Sequence, residues 1–279
     1  MLEWFLPYRF SWLAVTFFPL VAFLYAAGML AVRQRGGHVG IARPLAFFVG
    51  LLLCYIVLHT RFDYYGQYLF FMHRAQHLVL HHVGAMLMAL GDPVLFWGAA
   101  IAKSGLRLPR GVTAVLRFPV AVLQHPVIGS FVFVGIIYFW LTPSIHFDAM
   151  LSHPLYLLMN WSMFIDGLLF WLVIVDRRDP LVSGLPRHGT RLAMILGTLV
   201  PQIVLGAYIT FSRSDIYDVY SVCGRAFPIL PENDQLYGGL LTWIPPAMMM
   251  LLAALIVLSM IMKASREESG EIQAGTASP

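Results

Sequence analysis

The sequence predicts an all-α integral membrane protein, built as a bundle of about seven transmembrane helices. Of the 279 residues, 59% are hydrophobic and only 11% are charged, with a mean hydropathy of +0.75. A soluble domain carries about a quarter charged residues, so this composition indicates a chain that crosses a lipid bilayer. The pI near 9.2 reflects basic loops that set orientation, and we do not expect nucleic acid as a partner.

Seven apolar runs approach the roughly 20 residues that a helix needs to cross the hydrocarbon core. Three of them open with proline, which is favoured in the first turn of a helix. The runs are 12–32, 44–60, 68–90, 119–141, 154–175, 191–211 and 238–262. A shorter apolar stretch, 93–102, either extends the third run or lies at the membrane interface. We expect one transmembrane domain, 1–264, and a disordered cytoplasmic tail, 265–279, whose residues are small, polar and charged.

The loops between these runs carry unequal numbers of basic residues. Thirteen lysines and arginines fall in one set of alternate loops and four in the other, while Arg74 lies inside the third run. Because basic loops stay in the cytoplasm, we predict an outside N-terminus and a cytoplasmic C-terminus. The side with few basic residues is called the outer end below.

The third run contains four histidines, an arginine and a glutamine in an otherwise apolar stretch. Ionisable groups inside a membrane segment are expensive, so such a cluster indicates a functional site. His73, His77 and His81 are spaced four apart, and on an α-helix their imidazoles form a stripe along one face. Neutral imidazole is the commonest metal ligand and suits copper, zinc and iron. We favour metal ligation over the two alternatives, hydrogen bonds between helices and a proton relay.

Other polar residues are predicted to complete or support this site. His59 ends the second run at the same outer level as His73, so His59 and His81 are candidates to complete the set of ligands. Gln76 lies about 60° from the stripe and is an auxiliary candidate. His153 begins the fifth run at the outer end and is a second auxiliary candidate.

Two further residues of the third run have simpler interpretations. Arg74 lies near the outer end, so its stem is expected to snorkel to the lipid headgroups, although an acidic partner or a haem propionate would also suit it. His82 points about 100° away from His81 and is predicted to be a structural partner on another face.

The fifth run places Met159, Met163 and Asp166 within about 60° on one helical face. Thioether sulfur suits Cu(I), although methionine also fills gaps in cores. An unpaired carboxylate inside the membrane would be costly, so Asp166 is expected to pair with a histidine and orient it. Asn160 on the same helix is a further auxiliary candidate.

Two segments resemble a known family. The third run reads MHRAQHLVL at 72–80 and is followed by GDP at 91–93, and the fifth run ends in GLLFW at 167–171. Together they resemble the CtaG-type cytochrome c oxidase assembly proteins, the multi-span proteins of the caa3 oxidase type. The resemblance implies a bacterial inner-membrane protein that helps to mature a haem–copper oxidase and handles copper at its periplasmic side.

The same resemblance implies oxidase subunits or periplasmic copper carriers as partners, and His73 and His77 as the ligands. This chain departs from the family pattern in the fifth helix. Many members have further histidines and a glutamate where it has Tyr156, Met159 and Asn160. A site completed by that helix would therefore have different ligands here.

Two rival functions fit the same residues. A b-type membrane cytochrome needs two axial histidines on facing helices, one from the third run and the other from His59 or His153. A copper or proton transporter could use the same polar groups, but the sequence has no evident internal repeat or matched pair of broken helices. Motifs of phosphate-binding loops, zinc proteases and nucleophile elbows do not occur in the sequence. We therefore predict a copper-binding assembly factor that is not an enzyme.

Overall fold

The computed structural model describes residues 6–105, 109–178, 180 and 184–276. Within these ranges the chain is helical apart from its connections, with one isolated β-bridge between Pro7 and Thr60. Five helices are long and apolar enough to cross a membrane, and the number rises to seven if each of two bent helix pairs counts as one span. The predicted all-α, multi-pass fold is confirmed, while the orientation of its termini stays a prediction.

The helices agree with the predicted runs to within three residues at α1, α2, α10 and α11 and differ from them elsewhere. In chain order they are α1 (Trp12–Gln34), α2 (Ala42–His59), α3 (Arg61–Tyr68), α4 (Phe70–Leu78), α5 (Gly84–Leu90), α6 (Pro93–Ser104), α7 (Arg110–Leu123), α8 (Pro126–Leu141), α9 (Pro143–Leu151), α10 (His153–Ile174), α11 (His188–Phe211), α12 (Val219–Cys223) and α13 (Pro231–Thr276). A five-residue π-helical segment, Val79–Val83, joins α4 to α5 and is called the π-segment below. Helix α13 continues into the residues for which the sequence predicts a disordered tail, and the domain division at residue 264 stays a prediction.

The third predicted run is not one straight helix. Leu69 is extended and separates α3 from α4, and the π-segment interrupts the helix again. Helix α6 then leaves the span at an angle of 60°. Asp92 between α5 and α6 adopts the left-handed conformation with φ of 55°, and Pro93 lacks the N–H that would continue α5. The stretch 93–102 is therefore part of a separate helix, which packs so closely on α1 that a Cβ at Gly28 would lie 1.9 Å from the carbonyl oxygen of Phe96.

The fourth predicted run is also bent. Helices α7 and α8 meet at an angle of 75°, next to Pro126. A proline disfavours the helical conformation in the residue before it, and His125 is accordingly extended. Apolar residues lie on both sides of Gln124 and His125, which explains why mean hydropathy alone suggests a single helix.

The π-segment is held by close packing against α10. A Cβ at Gly167 would lie 2.5 Å from the carbonyl oxygen of His81, so only glycine allows this approach. The widened turn of a π-helix disturbs the regular backbone ladder. The indole Nε1 of Trp171 donates a hydrogen bond of 2.9 Å to the same His81 carbonyl oxygen. One turn of α10 thus supplies both the space and a hydrogen bond for the π-segment.

Replacing Gly167 with alanine is expected to push α10 away from the π-segment. The added methyl group meets backbone that cannot turn aside, so Gly167→Ala should lower the free energy of unfolding by about 1–3 kcal/mol. Thermal unfolding of the detergent-solubilised protein measures the loss. Gly197→Ala is the matched control, because Gly197 is also inside a helix and a Cβ there would meet no atom within 4 Å. Equal destabilisation by both variants would contradict the packing explanation.

Candidate functional site

Five histidines are buried next to one another in the bundle, and we call them the histidine cluster. Each is 2% exposed or less. The ring of His73 lies 4.2 Å from that of His77 and 5.2 Å from that of His146, measured between ring centres. Deeper in the bundle, the rings of His81 and His82 lie 4.9 Å apart. The cluster therefore consists of an outer group of three rings and an inner pair.

Helix α4 carries most of the outer group, and a carboxylate from another helix fixes its first turn. The N-cap residue Leu69 has no side chain that can accept a hydrogen bond from the helix. Asp234 of α13 does so instead, accepting hydrogen bonds of 3.1 Å from the amide of Phe70 and 2.9 Å from that of Phe71. A negative charge at this position also complements the helix dipole. Arg225, in the connection between α11 and α13, donates to Asp234 over 3.0 Å and holds the carboxylate in place.

His73 has no hydrogen-bonding partner at either ring nitrogen, although the residue is fully buried. The carbonyl of Gly66 approaches the ring without reaching hydrogen-bonding geometry. Leaving a buried polar group without a partner costs stability, and most native structures avoid it. His73 is therefore the member of the cluster whose lone pair is available to a ligand.

Both ring nitrogens of His77 are engaged. Arg74 donates from Nη1 to Nδ1 of His77 over 3.2 Å, so the proton of this neutral imidazole is on Nε2. That Nε2 donates to Oδ1 of Asn160 over 3.0 Å. Arg74 also donates from Nε to Oγ1 of Thr242 over 2.9 Å and is only 4% exposed. The expectation that Arg74 snorkels to the headgroups is wrong, because these two partners receive its hydrogen bonds inside the bundle.

The inner pair forms a hydrogen-bonded chain with two other helices. Nε2 of His81 lies 3.1 Å from Oδ2 of Asp166, so the carboxylate is paired with a histidine as expected from the sequence. Nε2 of His82 accepts a hydrogen bond of 2.9 Å from the amide of Gln202. His82 is thus a structural partner of a different helix from the one that His81 contacts, as the sequence indicates, and both rings also contact Phe133.

A small cavity separates the outer group from the inner pair. Its volume is about 10 Å³, close to the least that holds one water molecule. Its polar lining, with one methionine, is Arg74, His77, His81, His82, Gln202 and Met163. A haem at this place would require the helices to separate, and haem ligation stays a prediction that a visible absorption spectrum would test.

Two predicted residues lie apart from the cluster. His59 accepts a hydrogen bond at Nε2 from the amide of Ser11 and is bound at Nδ1 to the hydroxyl of Tyr55, over 3.2 and 3.0 Å. His153 is exposed and contacts Arg9, over 3.2 Å. Both stay at the outer end, as the sequence indicates, but their hydrogen bonds go to other parts of the bundle.

The structure also shows where the two methionines of α10 lie. Both pack in an apolar cluster with Phe70 and Trp140, and Met163 also lines the small cavity. In the described part of the chain, no three histidine, cysteine, aspartate or glutamate side chains are arranged to hold a metal ion together. The histidine stripe is therefore not a ready-made three-ligand centre, and His81 is paired with Asp166.

His146 is the member of the cluster that the sequence does not single out. Its Nδ1 donates to the carbonyl oxygen of Trp140 over 3.0 Å. Its Nε2 accepts a hydrogen bond of 3.0 Å from the hydroxyl of Tyr220 on α12. Burial lowers the pKa of His146 to about 4, so the ring is neutral at physiological pH. A histidine in a short helix between two spans carries no sequence signal that separates it from an ordinary loop residue.

A polar network at the outer end lies beside the cluster. Oδ1 of Asp63 accepts hydrogen bonds of 2.8 Å from Tyr156 and 3.0 Å from Gln76, and Oδ2 accepts one of 2.8 Å from Gln67. Gln76 also donates to the carbonyl oxygen of Val57 over 2.7 Å. The auxiliary candidate Gln76 therefore connects α2, α3 and α4. Burial raises the pKa of Asp63 to about 6, although these hydrogen bonds act in the opposite direction.

Comparisons with known proteins identify relatives of this chain. The family model of the cytochrome c oxidase caa3 assembly factor matches residues 23–264. An uncharacterized protein of Mycobacterium leprae is 26% identical over 229 residues, which are 78% of this chain and 34% of that protein. One of Mycobacterium bovis is 27% identical over 234 residues, 80% of this chain and 34% of its own length. The chain thus spans about a third of the length of these curated relatives, and no solved structure matches it.

Removing the carboxyl group of Asp63 is expected to change how stability depends on pH. The folded pKa of about 6 lies above the ordinary value of 3.8, so protonation favours the folded state. The stabilising contribution is fully present below about pH 4 and is lost as the pH rises through about 6. Asp63→Asn should therefore flatten this part of the curve of melting temperature against pH.

The exposed Asp218 provides the control for this measurement. Melting temperatures of the solubilised wild type, Asp63→Asn and Asp218→Asn between pH 4 and pH 7 would be compared. Asp218→Asn should keep the wild-type curve. A wild-type slope that survives in Asp63→Asn would assign the pH dependence to another group.

Proposed function

The chain belongs to the family of cytochrome c oxidase caa3 assembly factors, and we propose that its histidine cluster handles copper during the maturation of a haem–copper oxidase. The family match extends over all five histidines of the cluster. We place the protein in the bacterial inner membrane, with oxidase subunits and periplasmic copper carriers as its partners. It would act by binding the metal and handing it on, not by catalysing a reaction.

The observation that carries this proposal is the state of His73. A fully buried imidazole whose two nitrogens have no partner costs stability and contributes no hydrogen bond to the fold. Metal ligation accounts for such a residue, because the neutral ring offers a lone pair that suits copper in either oxidation state. By the predicted topology His73 lies in the outer half of the membrane, where copper delivered from the periplasm would arrive.

The other histidines of the cluster suit a metal that the protein binds only temporarily and then passes on. His77 lies beside His73, but its nitrogens are engaged by Arg74 and Asn160. His81 is engaged by Asp166. A closed site of several fixed ligands would retain the ion, whereas an assembly factor has to release it to the oxidase. A site with few available ligands favours release.

A substitution of His73 separates copper binding from folding. His73→Leu removes the ligand but keeps a side chain of similar size, and no hydrogen bond is lost with it. We expect the purified variant to contain little copper and to support little oxidase assembly. Its melting temperature should equal or exceed that of the wild type, because an unpartnered buried polar group has been replaced by an apolar one.

His59→Leu is the control, since the hydrogen bonds of His59 go to Ser11 and Tyr55. This variant should keep its copper, measured by elemental analysis of protein from copper-replete cells. An equal copper content in the His73→Leu variant and the wild type would contradict the assignment of His73 as a ligand. A Soret band in the spectrum of the same wild-type sample would favour the cytochrome alternative.

A further inference from the structure

We propose that His73 and His146 bind Cu(I) as a two-histidine site, and that the hydroxyl of Tyr220 holds the ligating nitrogen of His146 until the metal arrives. This inference rests on the proposed copper function and adds a ligand from α9.

The separation of the two rings suits a shared ion. Two imidazoles that bind one ion at a metal–nitrogen distance of about 2 Å have ring centres roughly 5 Å apart at a tetrahedral angle, and roughly 6 Å apart when they face each other across the ion as in two-coordinate Cu(I). The ring centres of His73 and His146 are 5.2 Å apart, and the planes lie at 79° to each other. The rings of His73 and His77 are closer, with their centres 4.2 Å apart. His146 therefore has a better ring spacing than His77 for sharing one ion with His73.

The hydrogen bonds of His146 set it up as a metal ligand. The nitrogen that a metal can bind is determined by the hydrogen bond that the other nitrogen makes. Nδ1 of His146 donates to the carbonyl oxygen of Trp140, which places the lone pair of the neutral ring on Nε2. A backbone carbonyl bound in this way also fixes the orientation of the ring, as it does around many metal-ligating histidines.

His77 is the poorer partner for His73 because of what surrounds its nitrogens. Its Nδ1 lone pair faces the guanidinium of Arg74, and its Nε2 carries the proton donated to Asn160. A metal could bind His77 only if Arg74 gave up its hydrogen bond to Nδ1 or if Nε2 lost its proton. Ligation through His146 requires only that a neutral hydroxyl move away.

That hydroxyl belongs to a segment at the outer end. Tyr220 lies on α12, a five-residue helix in the connection between α11 and α13. Its hydrogen bond to Nε2 of His146 is 3.0 Å long. Tyr217 nearby is also buried, but its hydroxyl donates to the carbonyl oxygen of Leu141 and not to a histidine. The metal-binding nitrogen is thus held from the side on which the ion is expected to enter.

The coordination number agrees with this pair. In the part of the chain that the structure describes, no set of three histidine, cysteine or acidic side chains is arranged to hold an ion. Cu(I) accepts two nitrogen ligands, whereas zinc in proteins is almost always four-coordinate. Two histidines on different helices therefore favour Cu(I).

The test is the Cu(I) affinity of the full-length protein in detergent, titrated anaerobically against a chromophoric Cu(I) chelator. His146→Leu is expected to weaken binding by at least about 100-fold, more than the loss of a residue that only orients a ligand. Tyr220→Phe should tighten binding roughly fivefold, the factor that one hydrogen bond is worth. Tyr217→Phe is the matched control and should bind as the wild type does. X-ray absorption of the copper-loaded wild type should show two nitrogen ligands.

The outcomes separate this inference from the proposed function. Wild-type affinity in both His146→Leu and Tyr220→Phe, with loss of binding in His73→Leu, overturns the pair and leaves the copper function standing. No Cu(I) binding by the wild type, or unchanged binding in His73→Leu, overturns both. Should His146→Leu fail to fold, Tyr220→Phe decides, because an affinity equal to that of the wild type overturns the role given to His146.

Discussion

The arrangement of the histidine cluster depends on the carboxylate of Asp234. It accepts hydrogen bonds from two amides at the start of α4, which lack acceptors of their own, and it is held by Arg225. The extended residue Leu69 can interrupt the third span here because α13 supplies this cap. The connection between α11 and α13 provides both Arg225 and Tyr220. The connection between α11 and α13 therefore stabilises the start of α4 and also contacts the outer group of histidines.

The features that the sequence predicts correctly follow from local rules. The all-α, multi-pass architecture follows from composition and run length, since each apolar run must match the thickness of a bilayer. The adjacency of His73 and His77 follows from the four-residue repeat of an α-helix, and α4 is regular over this interval. The pairing of Asp166 with a histidine follows from the cost of an isolated charge in lipid.

The features that sequence reasoning misses depend on contacts between distant residues. The π-segment owes its position to Trp171, which lies 90 residues after the carbonyl that it binds, and to Gly167. The hydrogen bond to Nε2 of His146 comes from Tyr220, 74 residues later. A local sequence pattern contains no information about contacts between residues that are this far apart in the chain.

The π-segment also determines where the length of this chain can vary. Its wide turn contains one residue more than an α-helical turn. Deleting one residue between Val79 and Val83 would therefore close the turn to an α-helical one, and the helices on either side would keep their orientation. Gly84, which packs against Cys54 and Gly50, would keep its place against α2, whereas a deletion in a regular helix would rotate the following turn by about 100°. The π-segment is therefore the part of this span in which the chain can lose a residue with the least effect on the packing around it.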